Sequence, residues 1–327
     1  MATAPILNTE LEIVSLREAG FASLEPLFDE QCDEWLELLR WDYSGPSRMI
    51  RQVARDGELA GFAAMSGTLA VGFSYYVVEG GRGSIGDIYV SKSWRGLGID
   101  RQMTAAMVDE MDHAPGVRRI ESQCVSVGNE ASTVLLEARG FERFDRHYMT
   151  MELTPRADEA FESREFTEAS GISIRAWEDG DFASAAEVIH RSYRGRHDSR
   201  INTQYRSESG CGELLTILTD HVWCGDFLNG VSQVAYQAAA GKLVGVLIAS
   251  RIASGAGHIG QISVHPAHQG RGLGRRMINR ALLEYARRGF DSASLAVTSA
   301  NASALHLYES CGFRTIHTFQ VFFREKK

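Results

Sequence analysis

The sequence predicts an α/β fold in which helices flank a mixed sheet, and it predicts this fold twice along the chain. Three observations support the prediction. Two blocks of sequence recur in the same order, apolar residues alternate in short segments between them, and a glycine-rich turn opens an amphipathic helix. The length of 327 residues agrees, because it suits two ordinary domains better than one.

The first recurring block joins a strand-like segment to a glycine-rich turn. It consists of Ile85–Val90 followed by Arg95–Gly98 in the first half, and of Ile259–Val264 followed by Arg271–Gly274 in the second. In a second block, an asparagine precedes Gly-Phe by eleven residues in both halves. The two copies of that block are Asn129 with Gly140-Phe141 and Asn301 with Gly312-Phe313. The repetition predicts two related domains, 1-154 and 171-327, joined by a polar linker at 155-170.

In the second half, apolar alternation predicts strands, and helical spacing predicts the helices between them. The predicted strands are Ile172–Trp177, Val231–Ala239, Lys242–Ile252, His258–Val264, Leu295–Thr298 and Thr315–Phe323. The predicted helices run from Asp181 to Tyr193, over Thr203–Asp220, from Gly272 to Arg288 with Gly289 as the stop, and over Ala302–Cys311. The first half gives the same order and ends with a strand at Tyr148–Leu153.

Composition excludes several classes of protein. With 44% hydrophobic and 23% charged residues the chain is ordinary for a globular protein, and no apolar run is long enough for a membrane helix. The first residues lack the basic-then-apolar order of a signal peptide, and the five cysteines are scattered without a C-x-x-C pair. We therefore expect a cytoplasmic protein without a disulfide framework or a metal site.

The net charge of −8 is divided unevenly along the chain. Residues 1–165 carry −12, and residues 166–327 carry +4. An acidic chain lacks the basic surface that nucleic-acid binding needs, so we expect neither a nucleic acid nor a membrane as a partner. A polyanionic ligand would prefer the C-terminal half, unless the difference is only a drift in composition.

The turn Gln269–Gly274, which follows a strand and opens a helix, is the segment most informative about chemistry. Its unpaired N–H groups and the helix dipole suit a phosphate group, and glycine lets a ligand approach the backbone. Its spacing fits neither the dinucleotide-binding fingerprint nor the P-loop. It resembles the Gln/Arg-x-x-Gly-x-Gly/Ala signature of the GCN5-related N-acetyltransferase (GNAT) superfamily. Asn301, Ala304, Tyr308 and Gly312-Phe313 resemble the second block of that superfamily.

The resemblance covers nearly all of both halves and implies two tandem GNAT-fold domains, each with a mixed, mostly antiparallel sheet. It implies an N-acetyltransferase that moves an acetyl group from acetyl-CoA, as co-substrate and without a metal, to a primary amine of a small-molecule or peptide acceptor. The cofactor-binding residues that it implies are Ile262, Ser263 and Val264 for the acetyl and pantetheine arm, Gln269, Gly270, Arg271, Gly272, Leu273, Gly274 and Arg275 for the pyrophosphate, and Asn301 for the pantetheine.

The same resemblance places Tyr308 near the thioester sulfur. A phenol is neutral at pH 7 and can donate a proton to the departing thiolate, so Tyr308 is the predicted general acid. Asn301 and Tyr308 are seven residues apart and share one helix face. The alternatives are a tyrosine that packs at a helix–sheet boundary and an asparagine that caps the helix.

The sequence leaves the general base unassigned. Relatives often carry a glutamate on the strand before the phosphate loop, where this chain has Gln261, which cannot accept the proton. The candidates, each of which is otherwise an ordinary surface residue, are His190, His197, Asp198, Glu213 and Asp226. The arginine-rich segment Tyr193–Gly212 is interpreted as an insertion over the site, suited to an acceptor with a carboxylate or phosphate.

The first half is interpreted as a degenerate copy that shapes the acceptor site or buries a shared face, or else as a retained spacer. Leu136 takes the place of Tyr308, and Ser93 matches Gln269 in a loop two residues shorter. Gly98-Ile99-Asp100 takes the place of Gly274-Arg275-Arg276, so an aspartate stands where the second half has an arginine. An aspartate that faced the loop would repel a phosphate group.

A cluster of aromatic and acidic residues in the first half has two interpretations. It attracts a cationic amine, or it forms an amphipathic helix with a solvated acidic face. Its members are Trp35, Trp41, Tyr43, Asp33, Glu34, Glu37 and Asp42.

Two rival functions agree with the same residues. A non-enzymatic acyl-CoA-binding or sensor protein is favoured by the missing glutamate and the degenerate first half. Two independently active domains would require that Leu136 not matter. Release of free CoA in the presence of an amine separates an enzyme from a sensor.

Overall fold

The computed structural model describes residues 10–123, 128, 130–153, 171–219 and 223–326. Its backbone divides into an N-terminal unit of residues 1–34, 46–144 and 319–327 and a C-terminal unit of residues 35–45 and 145–318. The linker predicted at 155-170 and the predicted repeat residue Asn129 lie outside the described residues. The domain boundaries at 154 and 171 stay a prediction.

The N-terminal unit is a mixed sheet with helices against it. Its strands are β1 (Leu11–Ser15), β2 (Gly61–Ser66), β3 (Leu69–Glu79), β4 (Arg82–Val90), β5 (Arg119–Ser122) and the last part of β13 (Arg314–Glu325). Its helices are α1 (Leu16–Ala19), α2 (Phe21–Leu39, to residue 34), α3 (Ser44–Arg55, from residue 46), α4 (Ile99–His113) and α5 (Glu130–Ala138). The strand order is β1-β2-β3-β4-β5-β13, and only β4 and β5 pair in parallel among these described strands.

The C-terminal unit repeats this plan. Its strands are β6 (Glu142–Glu152, from residue 145), β7 (Ile172–Ala176), β8 (Asp226–Phe227), β9 (Gln233–Gln237), β10 (Lys242–Ala253), β11 (Ala256–Val264) and β12 (Ser292–Thr298). Its helices are α6 (Phe182–Tyr193), α7 (Asp198–Ile201), α8 (Glu208–Thr219), α9 (Leu273–Arg287) and α10 (Ala302–Cys311). The order is β6-β12-β11-β10-β9-β7, with β8 beside β10. The predicted fold class, a mixed and mostly antiparallel sheet flanked by helices, is confirmed.

One predicted helix is divided in the structure. The segment predicted as a helix over Thr203–Asp220 forms a 3-10 turn at Thr203–Arg206 and then α8, and Asp220 lies outside the described residues. The side chain of Asn202 accepts a hydrogen bond from the Gln204 backbone at 3.0 Å, and the Ser207 hydroxyl accepts one from the Gly210 backbone at 3.0 Å. Each of these caps starts its own turn, so the backbone changes direction between them.

Helix α9 fixes the floor of the site by burying one apolar face. The predicted stripe of Leu273, Met277, Ile278, Ala281, Leu282 and Tyr285 is buried in one cluster with the sheet. Each large side chain in it contributes about 1.5–3 kcal/mol by leaving water. Gly245 on β10 allows the close approach, because a Cβ there would lie 2.9 Å from Met277 Sδ. The N-terminus of α9 is therefore held firmly against the sheet.

The two parallel strands of this unit separate as they approach the site. Strands β11 and β12 pair only from Ala256 and Ser292 to Ile259 and Leu295, whereas β12 pairs with β6 from Ser292 to Thr298. Gly260 forms a β-bulge against β10, which bends β11 at the same place. The final residues of β11 therefore present backbone groups on the side that faces away from β10.

Candidate functional site

A cavity of about 630 Å³ opens in the C-terminal unit at the end of β11. It is bounded by the last residues of β11, the loop that enters α9, helix α10 and the C-terminal end of α6. The lining residues that the sequence predicted are Ile262, Ser263, Val264, Gln269, Gly270, Gly272, Leu273, Gly274, Arg275, Asn301 and Tyr308. Arg271, the remaining predicted cofactor residue, is exposed and is not part of the lining.

The loop at the entrance to α9 takes its shape from glycine and from a glutamine side chain. Gly270 and Gly272 have φ angles of 72° and 78°, a region that other residues rarely adopt. Gln269 Nε2 donates a hydrogen bond to the Val264 carbonyl at 2.9 Å and ties the loop back to β11. Arg196 Nη2 lies 3.3 Å from Gln269 Oε1. The turn leaves the first N–H groups of α9 beside the cavity, where an anion would be stabilised.

Asn301 caps α10, which is the structural role that the sequence offered as an alternative to ligand binding. Its Oδ1 accepts a hydrogen bond from the Ala304 backbone N–H at 3.3 Å and caps α10. The same side chain lines the cavity. The cap leaves the Asn301 amide N–H donors available, so capping is compatible with the predicted contact to a ligand.

Tyr308 lies about two turns further along α10 and also lines the cavity. Its side chain is 8% exposed, and burial is the main cause that raises the pKa of its phenol above the ordinary value. The nearby charge of Asp198 also raises this pKa, and the charge of Arg146 lowers it. Among the described residues the hydroxyl has no hydrogen-bond partner, so its proton is available to a group in the cavity.

Gln261 sits beneath a stack of two tyrosines. Tyr193 and Tyr205 lie with ring centroids 3.8 Å apart, and the Tyr205 hydroxyl donates to Gln261 Oε1 at 3.1 Å. Gln261 Nε2 donates to the Tyr193 hydroxyl at 3.2 Å and to Ser263 Oγ at 2.9 Å. Burial raises the pKa of both phenols. The amide that replaces the expected glutamate thus fixes the position of the stack and carries no charge.

Of the five candidate bases, the structure brings Asp198 to this end of the sheet. Thr298 Oγ1 donates to Asp198 Oδ1 at 2.7 Å, which holds helix α7 against the end of β12. Its negative charge also raises the pKa of Tyr193. The carboxylate therefore lies within electrostatic range of two phenols that line the cavity.

The other four candidates lie elsewhere. His190 Nδ1 is 3.0 Å from the Tyr205 carbonyl and lines a separate cavity, whereas His197 and Glu213 are exposed. Asp226 forms an exposed ion pair with Arg251 at 2.5 Å. The separate cavity, about 390 Å³, is lined by part of the arginine-rich segment, including Arg194 and Arg206.

Sequence reasoning missed Arg146. It lies on β6, in the predicted first domain, and the structure includes it in the C-terminal unit. Arg146 and Thr298 are directly paired in the β6–β12 ladder. The sequence predicted a strand at Tyr148–Leu153, which begins after Arg146, and nothing in the sequence says which strand lies beside it.

The aromatic cluster of the first half is structural. Trp35 stacks on Tyr43 with centroids 4.2 Å apart, and both side chains are buried. Trp41 packs at 4.9 Å from the ring of His258, whose pKa burial lowers to about 3. None of these residues lines the described cavity. Trp35 lies on α2, but Trp41 and Tyr43 follow the end of that helix, and Glu34 is buried against Arg95, so an amphipathic helix with a solvated acidic face describes only part of the cluster.

The corresponding loop of the N-terminal unit has a different register from the one predicted. Arg95 occupies the place of Gln269: its backbone angles are −69° and 154° against −68° and 160°, and its Nε donates to the Val90 carbonyl at 3.0 Å. Ser93 is therefore not the counterpart of Gln269, and the loop is not shorter. Gly98, with φ of 73°, corresponds to Gly272. Asp100 then stands at the position of Gly274.

Over most of its length, the chain matches a known family. The model of the Acetyltransferase (GNAT) family matches residues 16–141 and 201–313, well over half of the sequence. The chain belongs to the GNAT family. Its two matched regions lie in tandem, as the sequence predicted.

Individual relatives agree with this assignment. A mycothiol acetyltransferase of Thermobispora bispora is 26% identical over 88% of this chain and 87% of its own length. The L-methionine sulfoximine/L-methionine sulfone acetyltransferase of Salmonella typhimurium is 42% identical over 16% of this chain, a match that spans only 30% of that enzyme. A GCN5-related N-acetyltransferase from Sphaerobacter thermophilus shares the fold, with a TM-score of 0.64 at 18% identity, over 99% of this chain and 97% of that one.

Among the described residues, no three His, Cys, Asp or Glu side chains are grouped so that they could hold a metal ion. Within the same part of the chain, no helix combines the length and the apolar character needed to span a membrane.

Proposed function

We propose that the C-terminal unit transfers the acetyl group of acetyl-CoA to a primary amine of a small-molecule or peptide acceptor. The observation that carries the proposal is one cavity lined by a glycine turn at a helix N-terminus, the free edge of a strand and a buried phenol. These three features suit a phosphate, an extended amide chain and a leaving thiolate, respectively.

Different residues around the cavity bind different parts of the cofactor. The backbone of Ile262–Val264 pairs with the pantetheine amides, as an added strand would, and the N–H groups after Gly270 and Gly272 receive the pyrophosphate. Arg275, whose Nη2 is held 2.7 Å from Ser310 Oγ, adds a positive charge at the same end of α9. Acetyl-CoA supplies the activated thioester.

Two side chains handle the protons of the reaction. The amine nitrogen forms a bond to the thioester carbonyl carbon, and the carbon–sulfur bond breaks. The Tyr308 phenol gives its proton to the sulfur, and the proton that the nitrogen loses passes to the Asp198 carboxylate. A buried phenol is protonated at pH 7, which is the state that a general acid needs.

Release of free CoA tests the proposal. The purified chain is incubated with acetyl-CoA and a panel of primary amines, and a thiol reagent follows the CoA formed. Gly272→Glu should abolish amine-dependent release, because it puts a carboxylate where phosphate would bind. Gly98→Glu is the matched control in the N-terminal unit, since both glycines have positive φ and open space at the Cβ. Two results would contradict the proposal. One is an equal loss of CoA release in Gly272→Glu and Gly98→Glu, and the other is a native chain that releases no CoA with any amine.

A sensor that only binds acyl-CoA is the second candidate. The neutral Gln261 at the expected place of the base favours it. Binding of acetyl-CoA without release of CoA with any amine would identify the sensor.

A further inference from the structure

Two opposite charges lie on the face of the sheet that α7 covers, at the end of β12. This end of β12 adjoins the cavity, because the Asn301 backbone N–H donates to the Thr298 carbonyl at 2.9 Å and Asn301 lines the cavity. Arg146 and Thr298 are directly opposite each other on antiparallel strands. Residues paired in this way project their side chains to the same face, with Cβ atoms about 4.5–5.5 Å apart. The Thr298 hydroxyl binds Asp198 on α7, so the Arg146 side chain leaves the sheet on the side where Asp198 lies.

The electrostatic effects of the two charges on nearby tyrosines agree with this placement. Both Arg146 and Asp198 act electrostatically on Tyr193, Tyr205 and Tyr308, in addition to the larger effect of burial. Tyr193 and Tyr308 line the cavity. We therefore expect a cation and an anion on the side of the cavity that Tyr193 and Tyr308 line.

We infer that the acceptor is a small molecule whose primary amine neighbours a carboxylate, as in an α-amino acid. Asp198 faces the ammonium group before it is deprotonated, and the Arg146 guanidinium binds the carboxylate. The inference rests on the proposed function and narrows its acceptor.

Other amines fit this charge pair less well. A polyamine would bring a second cation towards Arg146, and a peptide N-terminus carries an uncharged amide where an amino acid has its carboxylate. A simple alkylamine has no carboxylate, so the Arg146 guanidinium would contribute nothing to its recognition. Arg146 is therefore the residue that decides between classes of amine.

Paired acceptors test the inference. CoA release is measured with proteinogenic L-amino acids and with their carboxamides, which keep the amine and side chain and lose only the negative charge. For the native chain we expect kcat/KM for the best acid to exceed that of its carboxamide by roughly 10- to 100-fold, the worth of a charge-assisted contact. In Arg146→Gln this preference should disappear through a higher KM for the acid, and Arg146→Lys should restore part of it.

Controls distinguish a variant that does not fold, and a chain that is not an acetyltransferase, from an error in the inferred acceptor. Arg314→Gln removes an exposed arginine of the same unit and should keep the preference for the acid. Calorimetry with acetyl-CoA should show that Arg146→Gln still binds the cofactor. Carboxamides or spermidine used as well as amino acids, or a preference unchanged in Arg146→Gln, would overturn the inference and leave the acetyltransferase standing. CoA release with no amine at all would overturn both.

Discussion

The two units carry the same loop with opposite chemistry. In both, a side chain ties the loop to the preceding strand, two glycines with positive φ follow, and a long helix begins. In the C-terminal unit the second helical position is Gly274, which lines a cavity. In the N-terminal unit it is Asp100, whose carboxylate accepts hydrogen bonds from Ser132 N at 2.8 Å and Ser132 Oγ at 3.1 Å.

The side chains that surround the N-terminal loop reinforce the difference. Arg95 is engaged by Glu34 in a bidentate pair, at 2.7 and 2.5 Å. Burial alone would raise the pKa of Glu34, but the hydrogen bonds and charge of Arg95 lower it below its ordinary value. Leu97 and Val134 are exposed where the C-terminal unit has Arg271 and His306. A similar loop backbone therefore adjoins a cavity in one unit, and in the other it is followed by a carboxylate that Ser132 binds.

The largest expected effect on activity concerns Tyr308, the counterpart of Leu136 in the N-terminal unit. Tyr308→Phe should lower kcat by roughly 100- to 10,000-fold, because the leaving thiolate loses its proton donor. The KM for acetyl-CoA and the unfolding midpoint should change little, since the hydroxyl binds none of the described residues. A kcat near that of the native chain would show that Tyr308 only packs at the helix–sheet boundary.

Moving the N-terminal chemistry into the C-terminal loop should weaken cofactor binding. Gly274→Asp should raise the Kd for acetyl-CoA by roughly 10- to 100-fold, because a carboxylate at the helix N-terminus competes with phosphate. Gly274→Asn has nearly the same shape without the charge and should bind more tightly than Gly274→Asp. Calorimetry compares the three proteins. Equal losses in both variants would mean that size alone, against Leu307 at 3.2 Å from the new Cβ, causes the effect.

Stability should depend on pH through His258, which belongs to the C-terminal unit. Burial lowers the pKa of this imidazole to about 3, well below its ordinary value near 6.5. The unfolded chain therefore binds a proton in that interval that the folded chain does not. The stability that depends on neutral His258 is complete above pH 6.5 and is lost towards pH 3, at up to about 1.4 kcal/mol per pH unit.

Denaturant titrations at several pH values measure this slope. His258→Gln should lose the part of the slope that belongs to the imidazole. An unchanged slope in the variant would mean that His258 is protonated in the fold.

The smallest expected effect is the reverse exchange, Asp100→Gly. It removes the acceptor for the Ser132 N–H and puts glycine in the first turn of α4, which together should cost about 1–2 kcal/mol of unfolding free energy. Chemical denaturation measures the cost. If stability is unchanged, the carboxylate has no structural role. If acetyl-CoA also gains a second site, Asp100 alone was what blocked the N-terminal loop.

The sequence predicts local structure well where one segment specifies it. Apolar stripes located α9 and its buried face, and the glycine turn located the cavity. The predicted alignment of the first-half loop was wrong because Gly96-Leu-Gly98 can be matched with Gly270-Arg-Gly272 or with Gly272-Leu-Gly274. Only the backbone angles show that the first of these matches is right.

Strand partners are beyond this kind of prediction. Residues 319–327 belong to the N-terminal unit and residues 145–153 to the C-terminal unit. Alternating apolar residues mark both segments as strands but do not name their neighbours. Arg146 was missed as a site residue for this reason, whereas Asp198 was found because it lies in the same repeat as the loop.

Calorimetric titration of acetyl-CoA tests the central claim most directly, since it counts sites per chain. The account predicts one site in the native chain and in Gly98→Glu, and none in Gly272→Glu. A second site in the native chain, or one that survives Gly272→Glu, would contradict the assignment of cofactor binding to the C-terminal unit alone.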